Sequence, residues 1–122
     1  MSTIKVDNIR IASESVSRPV TGVAAAWANI DGIGTVSIRG SLNSSTIFDR
    51  GTGRYEVSLT NSLASINSSA VAEGNAGLGQ FNRVCSVMLD YPDAVELTCF
   101  NTDSNGKIDL NYVMYQVHGG LA

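Results

Sequence analysis

The chain has 122 residues, 43% of them hydrophobic and 16% charged, which fits one ordered globular domain with a single core. Eleven acidic and eight basic residues leave a net charge of −3, and the basic ones are scattered from Lys5 to Lys107. Without a basic stripe nucleic acid is excluded as the main partner, and the longest apolar stretch, residues 20–33, is broken by Thr21, Asn29 and Asp31, which excludes membrane insertion by a helix.

Residues 1–20 alternate weakly at Ile4, Val6, Ile9 and Ile11 and then turn polar before Arg18-Pro19. This segment reads either as a first strand with its loop or as an arm that entwines with sister subunits, ahead of a domain at 21–122. Residues 1–10 lack the apolar run of a secretory signal, so synthesis in the cytosol is expected. In that setting the sequons at Asn43 and Asn67 carry no meaning.

From residue 23 onward the pattern is β. Residues 23–27 read as extended after Gly22, despite the helix-favouring Ala24-Ala25-Ala26. Residues 35–40 place Val36 and Ile38 on one face, and residues 54–60 place Tyr55, Val57 and Leu59 inward. Gly, Asn and Asp punctuate the intervals, and no apolar stripe with helical spacing and caps occurs. Trp27 and Tyr55 are expected in the core; the alternative for one or two of the aromatics Trp27, Tyr55, Phe81, Phe100, Tyr112 and Tyr115 is a place at a subunit interface or under a sugar ring.

The clearest element is a hairpin. Phe81, Cys85, Val87 and Leu89 alternate on one side of the turn at Tyr91-Pro92-Asp93, with Arg83 out of pattern, and Val95, Leu97 and Cys99 alternate on the other. Pairing about position 92 sets Val87 against Leu97, Leu89 against Val95 and Cys85 against Cys99. A free, buried pair of thiols is the preferred reading for a cytosolic protein, with a disulfide as the alternative. A last hairpin is expected at Asn105-Gly106, followed by a strand over residues 108–118 that is apolar on both faces: Tyr112 and Met114 on one, Val113, Tyr115 and Val117 on the other. Such a strand lies centrally or against another subunit. The whole predicts an all-β, antiparallel, jelly-roll-like β-sandwich of about seven to nine strands.

The chemistry-bearing residues form no catalytic set. Asp31, Asp49, Asp90, Asp93, Asp103 and Asp109 lie mostly at turns, where Asp is favoured for backbone reasons, and no acid pair suggests glycoside cleavage. Two cysteines and His118 do not compose a zinc site, and the Gly-x-Gly pairs do not open a helix. The reading is therefore a protein that is not an enzyme and needs no cofactor or metal. Binding is expected through loops at one end of the sandwich. The candidate ligand residues are Asn43, Ser44 and Ser45 in 43–47, Asn75 and Gln80 in 74–80, and Asp103, Ser104, Asn105 and Lys107 in 102–107.

A resemblance gives these expectations a setting. Ala25-Ala26-Trp27-Ala28-Asn29-Ile30-Asp31-Gly32, Gly34-Thr35-Val36-Ser37-Ile38-Arg39, Ser41-Leu42-Asn43-Ser44-Ser45, and Asp49 with Gly51-Thr52-Gly53-Arg54-Tyr55-Glu56-Val57 resemble a segment of predicted phage tail-fibre proteins. Phe100-Asn101-Thr102, Asp109, Tyr112-Val113 and Gly119 continue the likeness, which covers most of residues 21–119, and Ser2-Thr3-Ile4-Lys5-Val6-Asp7 is similar to the start of such proteins. The resemblance implies a homotrimeric virion protein, made in the host cytoplasm, that sits near a fibre tip and touches a host glycan or protein. It supplies no catalytic residues. Members of that family are long chains with a fibrous shaft, whereas about twenty residues precede the domain here. A small tail, collar or capsid decoration protein that joins other virion proteins is the alternative, and a polysaccharide-degrading enzyme is a third, less favoured reading.

Overall fold

In the computed structural model, residues 2–9, 18–19, 23–77 and 82–122 are described. Among them there is no helix, and ten strands follow in order: β1 (Asn8–Ile9), β2 (Arg18–Pro19), β3 (Ala24–Asp31), β4 (Ser37–Leu42), β5 (Ser44–Asp49), β6 (Arg54–Leu59), β7 (Ser69–Asn75), β8 (Arg83–Tyr91), β9 (Ala94–Asn101) and β10 (Tyr112–His118). Short β1 and β2 pair with each other in a small antiparallel ribbon. The other eight form two antiparallel sheets of four, ordered β4-β3-β10-β7 and β5-β6-β9-β8.

Alternation decides which side of each strand is buried. In the first sheet Ala26, Ala28 and Ile30 of β3 and Val113, Tyr115 and Val117 of β10 point inward; in the second, Tyr55, Val57 and Leu59 of β6 and Val95, Leu97 and Cys99 of β9 do so. These rows pack on one another as a single core. Burying a side chain such as Leu97 completely contributes about 1.5–3 kcal/mol, so Leu97→Ala would remove a substantial part of a marginal stability. The double-faced β10 lies centrally, between β3 and β7.

Parity also moves Trp27. Because Ala26 and Ala28 take the inner positions of β3, Trp27 between them points outward and is 38% exposed, which corrects its expected place in the core; Tyr55 is 1% exposed, as expected.

The β8–β9 hairpin keeps the expected register for Val87↔Leu97 and Cys85↔Cys99 but not for Leu89 and Val95. The two-residue turn at Pro92-Asp93 sets Tyr91 opposite Ala94, one step out of register with the rest of the ladder. A bulge between Met88 and Tyr91 absorbs the difference. Phe81 of this run falls outside the described residues. Cys85 and Cys99 are not free: a disulfide joins them. Direct opposition on neighbouring strands, with Cα atoms 4.1 Å apart, decides this point against the compartment argument.

The expected last hairpin is also corrected. After β9 only an isolated bridge, Phe100↔Lys107, forms, and β10 begins at Tyr112 and not at Ile108. Residues 108–111 instead carry the chain from one sheet to the other and place Leu110, fully buried, in the core.

Candidate functional site

The strand registers sort the loops into two ends. Asp49 and Arg54, Asp31 and Ser37, Asn75 and Tyr112, and Arg83 and Asn101 mark one end. The Asn43 corner, residues 60–68, the Pro92-Asp93 turn and the C-terminus mark the other. Residues 74–77, the described part of segment 74–80, therefore share an end with 102–107, while 43–47 begins at the opposite one.

The first of these ends is built on a knot of hydrogen bonds between buried Gly32, Gly53 and Tyr55 and exposed Asp109. Asp109 Oδ1 accepts from the Gly53 N–H at 2.6 Å and lies 3.2 Å from the Tyr55 hydroxyl, which is also 3.2 Å from the carbonyl of Gly32. The single phenol proton serves one of these two acceptors at a time. Gly32 must lack a side chain, because a Cβ there would run into the Tyr55 hydroxyl and sit 2.7 Å from the Leu110 carbonyl. Gly53, at φ +65, is as tightly held: a Cβ would lie 2.7 Å from the Cys99 carbonyl and from the Ile108 nitrogen. Burial, and after it the Asp109 charge, pushes the Tyr55 phenol far above its ordinary pKa of 10.0.

On this base the 102–107 loop is fastened to Asn82, the residue before β8. The Asn82 side-chain amide donates to the Asp103 carboxylate, and Thr102 N–H donates to the Asn82 carbonyl at 3.0 Å. Asp103, Ser104, Asn105 and Lys107 are exposed, with Asn105 in the left-handed region at φ 54. Asn75, also exposed, closes a local turn by accepting from Gly77 N–H at 2.7 Å. Gln80 lies outside the described residues.

At the other end, the polar groups of Asn43 and Ser44 serve the fold. Asn43 (φ 56) turns the chain from β4 in one sheet to β5 in the other. Its Nδ2 donates to the Ala25 and Asn61 carbonyls at 3.2 and 2.9 Å, and its Oδ1 accepts from Asn61 N–H at 2.7 Å. Ser44 Oγ donates to the Trp27 carbonyl at 3.1 Å and meets the Tyr115 hydroxyl at 2.6 Å. Ser45 Oγ donates to the Ser58 carbonyl at 3.2 Å. A depression of about 430 Å³ lies nearby, between Val6, Val23 and Leu121.

No family model, curated protein or solved structure matches the chain. What the surface can do is therefore read from its own chemistry.

The turn carboxylates are largely engaged in structure. Asp31 pairs with Arg39 at 2.6 Å, Asp49 accepts from Gly51 N–H at 2.8 Å, and Asp109 and Asp103 are held as described. Among the described residues no group of three or more His, Cys, Asp or Glu is placed to hold a metal ion.

From sequence, an outward place was only the alternative for the aromatics and for the last strand. Cross-strand pairing builds a row Leu42–Trp27–Gln116–Val71 and, beside it, Gly40–Asn29–Met114–Glu73 across the first sheet. A shallow depression of about 290 Å³ opens between Val71, Glu73, Met114 and Gln116. The signal was present in the alternation of β3: once Ala26, Ala28 and Ile30 are assigned inward, Trp27 has only the outside left.

Proposed function

We propose that the chain is a non-enzymatic, tail-fibre-like module of a bacteriophage virion, which assembles as a homotrimer and attaches the particle to the host surface. The observation that carries this reading is the meeting of Gly32, Gly53, Tyr55 and Asp109, distant members of the resembling segments, in one hydrogen-bonded knot. On this reading, the resembling segments build a scaffold with loops mounted on it. Carboxylates committed to turns and ion pairs support the same view.

Exposed apolar side chains support assembly. Phe48, Val84, Met88 and Tyr91 all stand on the outer side of the second sheet or its β8 edge, where a neighbouring copy would cover them. Multivalency in a trimer then strengthens weak binding at each loop cluster. The same β8 edge also suits docking on another virion protein, which is the decoration or joining alternative.

Light scattering on a size-exclusion column tests the assembly: about three times 12.8 kDa is the expected mass. Host-cell pull-down with the isolated protein tests attachment. Binding to particles that lack the protein, without binding to cells, would replace the attachment reading with the joining one.

A further inference from the structure

We propose that the outer face of the β4-β3-β10-β7 sheet is a binding site for an oligosaccharide of at least two neutral or amino-sugar rings, with Trp27 as its stacking platform; this rests on the host-attachment reading and names its ligand class. Trp27 is the single tryptophan of the chain and is exposed. Its six-membered ring reaches sideways over β4, where a Cβ at Gly40 would sit 3.8 Å from it. That is ordinary van der Waals distance, so the indole lies along the sheet over Gly40. An indole of this kind offers an apolar surface to the C–H face of a pyranose.

The neighbouring polar groups suit the hydroxyl edge of a sugar. Gln116 stands directly beside Trp27 in the register, and Glu73 lies one strand further, opposite Met114. Neither side chain is engaged in a hydrogen bond or ion pair among the described residues, so an amide and a carboxylate are free to receive and donate bonds. Convergent polar groups beside an apolar surface are the usual composition of a small-ligand site.

Distance sets the ligand's length. Trp27 on β3 and the Val71–Glu73 segment on β7 are separated by β10, hence by two strand spacings, about 10 Å. One ring stacked on Trp27 and a second in the 290 Å³ depression span that interval. Charge sets its sign. Among the described residues, the Arg39 cation of this sheet is committed to Asp31 at 2.6 Å and stacks on Tyr112, while the Glu73 carboxylate has no ion pair. Acidic glycans are therefore disfavoured and uncharged or amino sugars favoured.

Because Trp27 is alone, its fluorescence reports this face directly. The experiment titrates the full chain with tetrasaccharides of glucose, N-acetylglucosamine, galactose and rhamnose, their monosaccharides and a sialylated control, following emission and acrylamide quenching. At least one neutral or amino tetrasaccharide is expected to shift the emission saturably and protect it from quenching, with its monosaccharide at least about tenfold weaker. Glu73→Gln should weaken that titration, and Trp27→Phe should weaken cell attachment, each with an unchanged circular dichroism spectrum. Silence across the panel overturns the proposal, as does a response to the sialylated glycan alone. Protection that follows protein concentration and not sugar also overturns it, because the face is then covered by another copy. Cell attachment that persists while Trp27 stays silent sinks the glycan site alone, whereas absence of both sinks the attachment reading itself.

Discussion

Tyr55 and Asp109 lie 54 residues apart in sequence and 3.2 Å apart in the fold, on a carboxylate oxygen that also takes the Gly53 N–H. That oxygen ties β6, the turn before it and the crossover into β10 together. Asp109→Ala leaves the Gly53 N–H without its partner and should cost about 1–3 kcal/mol in urea unfolding, while Asp109→Asn, which keeps an acceptor, should cost less.

The same pair makes stability depend on alkali. The folded state holds the Tyr55 proton more tightly than the unfolded chain, whose phenol titrates near 10.0. This contribution is complete below pH 10 and is lost as pH rises from there through the higher folded-state value. Burial raises Tyr115 in the same direction. Chemical denaturation at successive pH values should show the decline beginning near pH 10, and Tyr55→Phe should flatten it.

The Cys85–Cys99 bridge closes a short loop, at a sequence separation of 14, and so removes about 3 kcal/mol of unfolded-state freedom. The double substitution to Ser should lower the unfolding free energy by about 2–4 kcal/mol. Mass spectrometry of the alkylated protein, with and without reductant, checks that the bridge is the cause.

Gly74 packs against that bridge from the facing sheet: a Cβ there would collide with Cys85 Sγ and lie 2.5 Å from Leu110 Cδ1. Gly74→Ala should therefore cost about 1–3 kcal/mol, an overpacking effect visible as a lower melting temperature.

Asn43 separates a structural role from a ligand role. Asn43→Gly keeps the left-handed turn but removes the bonds to Ala25 and Asn61, and Asn43→Ala removes both advantages. The order of melting temperatures should be wild type, then Gly, then Ala. Glycan and cell binding of the folded variants should match wild type.

Much of the architecture was legible from residue order. Tyr55, Val57 and Leu59 announced an inward row, Val87 with Leu97 and Cys85 with Cys99 announced a ladder, and Val113, Tyr115 and Val117 announced a buried side of β10, because side chains in a strand alternate with period two. The candidate loops were only half legible. Turn chemistry marks where the chain reverses but not at which end of the molecule. Asn43 therefore looked like Asn105 in sequence, although one is a half-buried staple and the other exposed.

The sequence by itself determined the strand periodicity, the punctuation between strands and the absence of a continuous basic stripe, since each is a property of neighbouring residues. Only the tertiary structure decided the rest: the disulfide, the outward Trp27, the crossover that replaced the last hairpin, and the knot of Gly32, Gly53, Tyr55 and Asp109. Each depends on which strands become neighbours. That choice is made by the summed burial of two inner faces, and no local pattern encodes it.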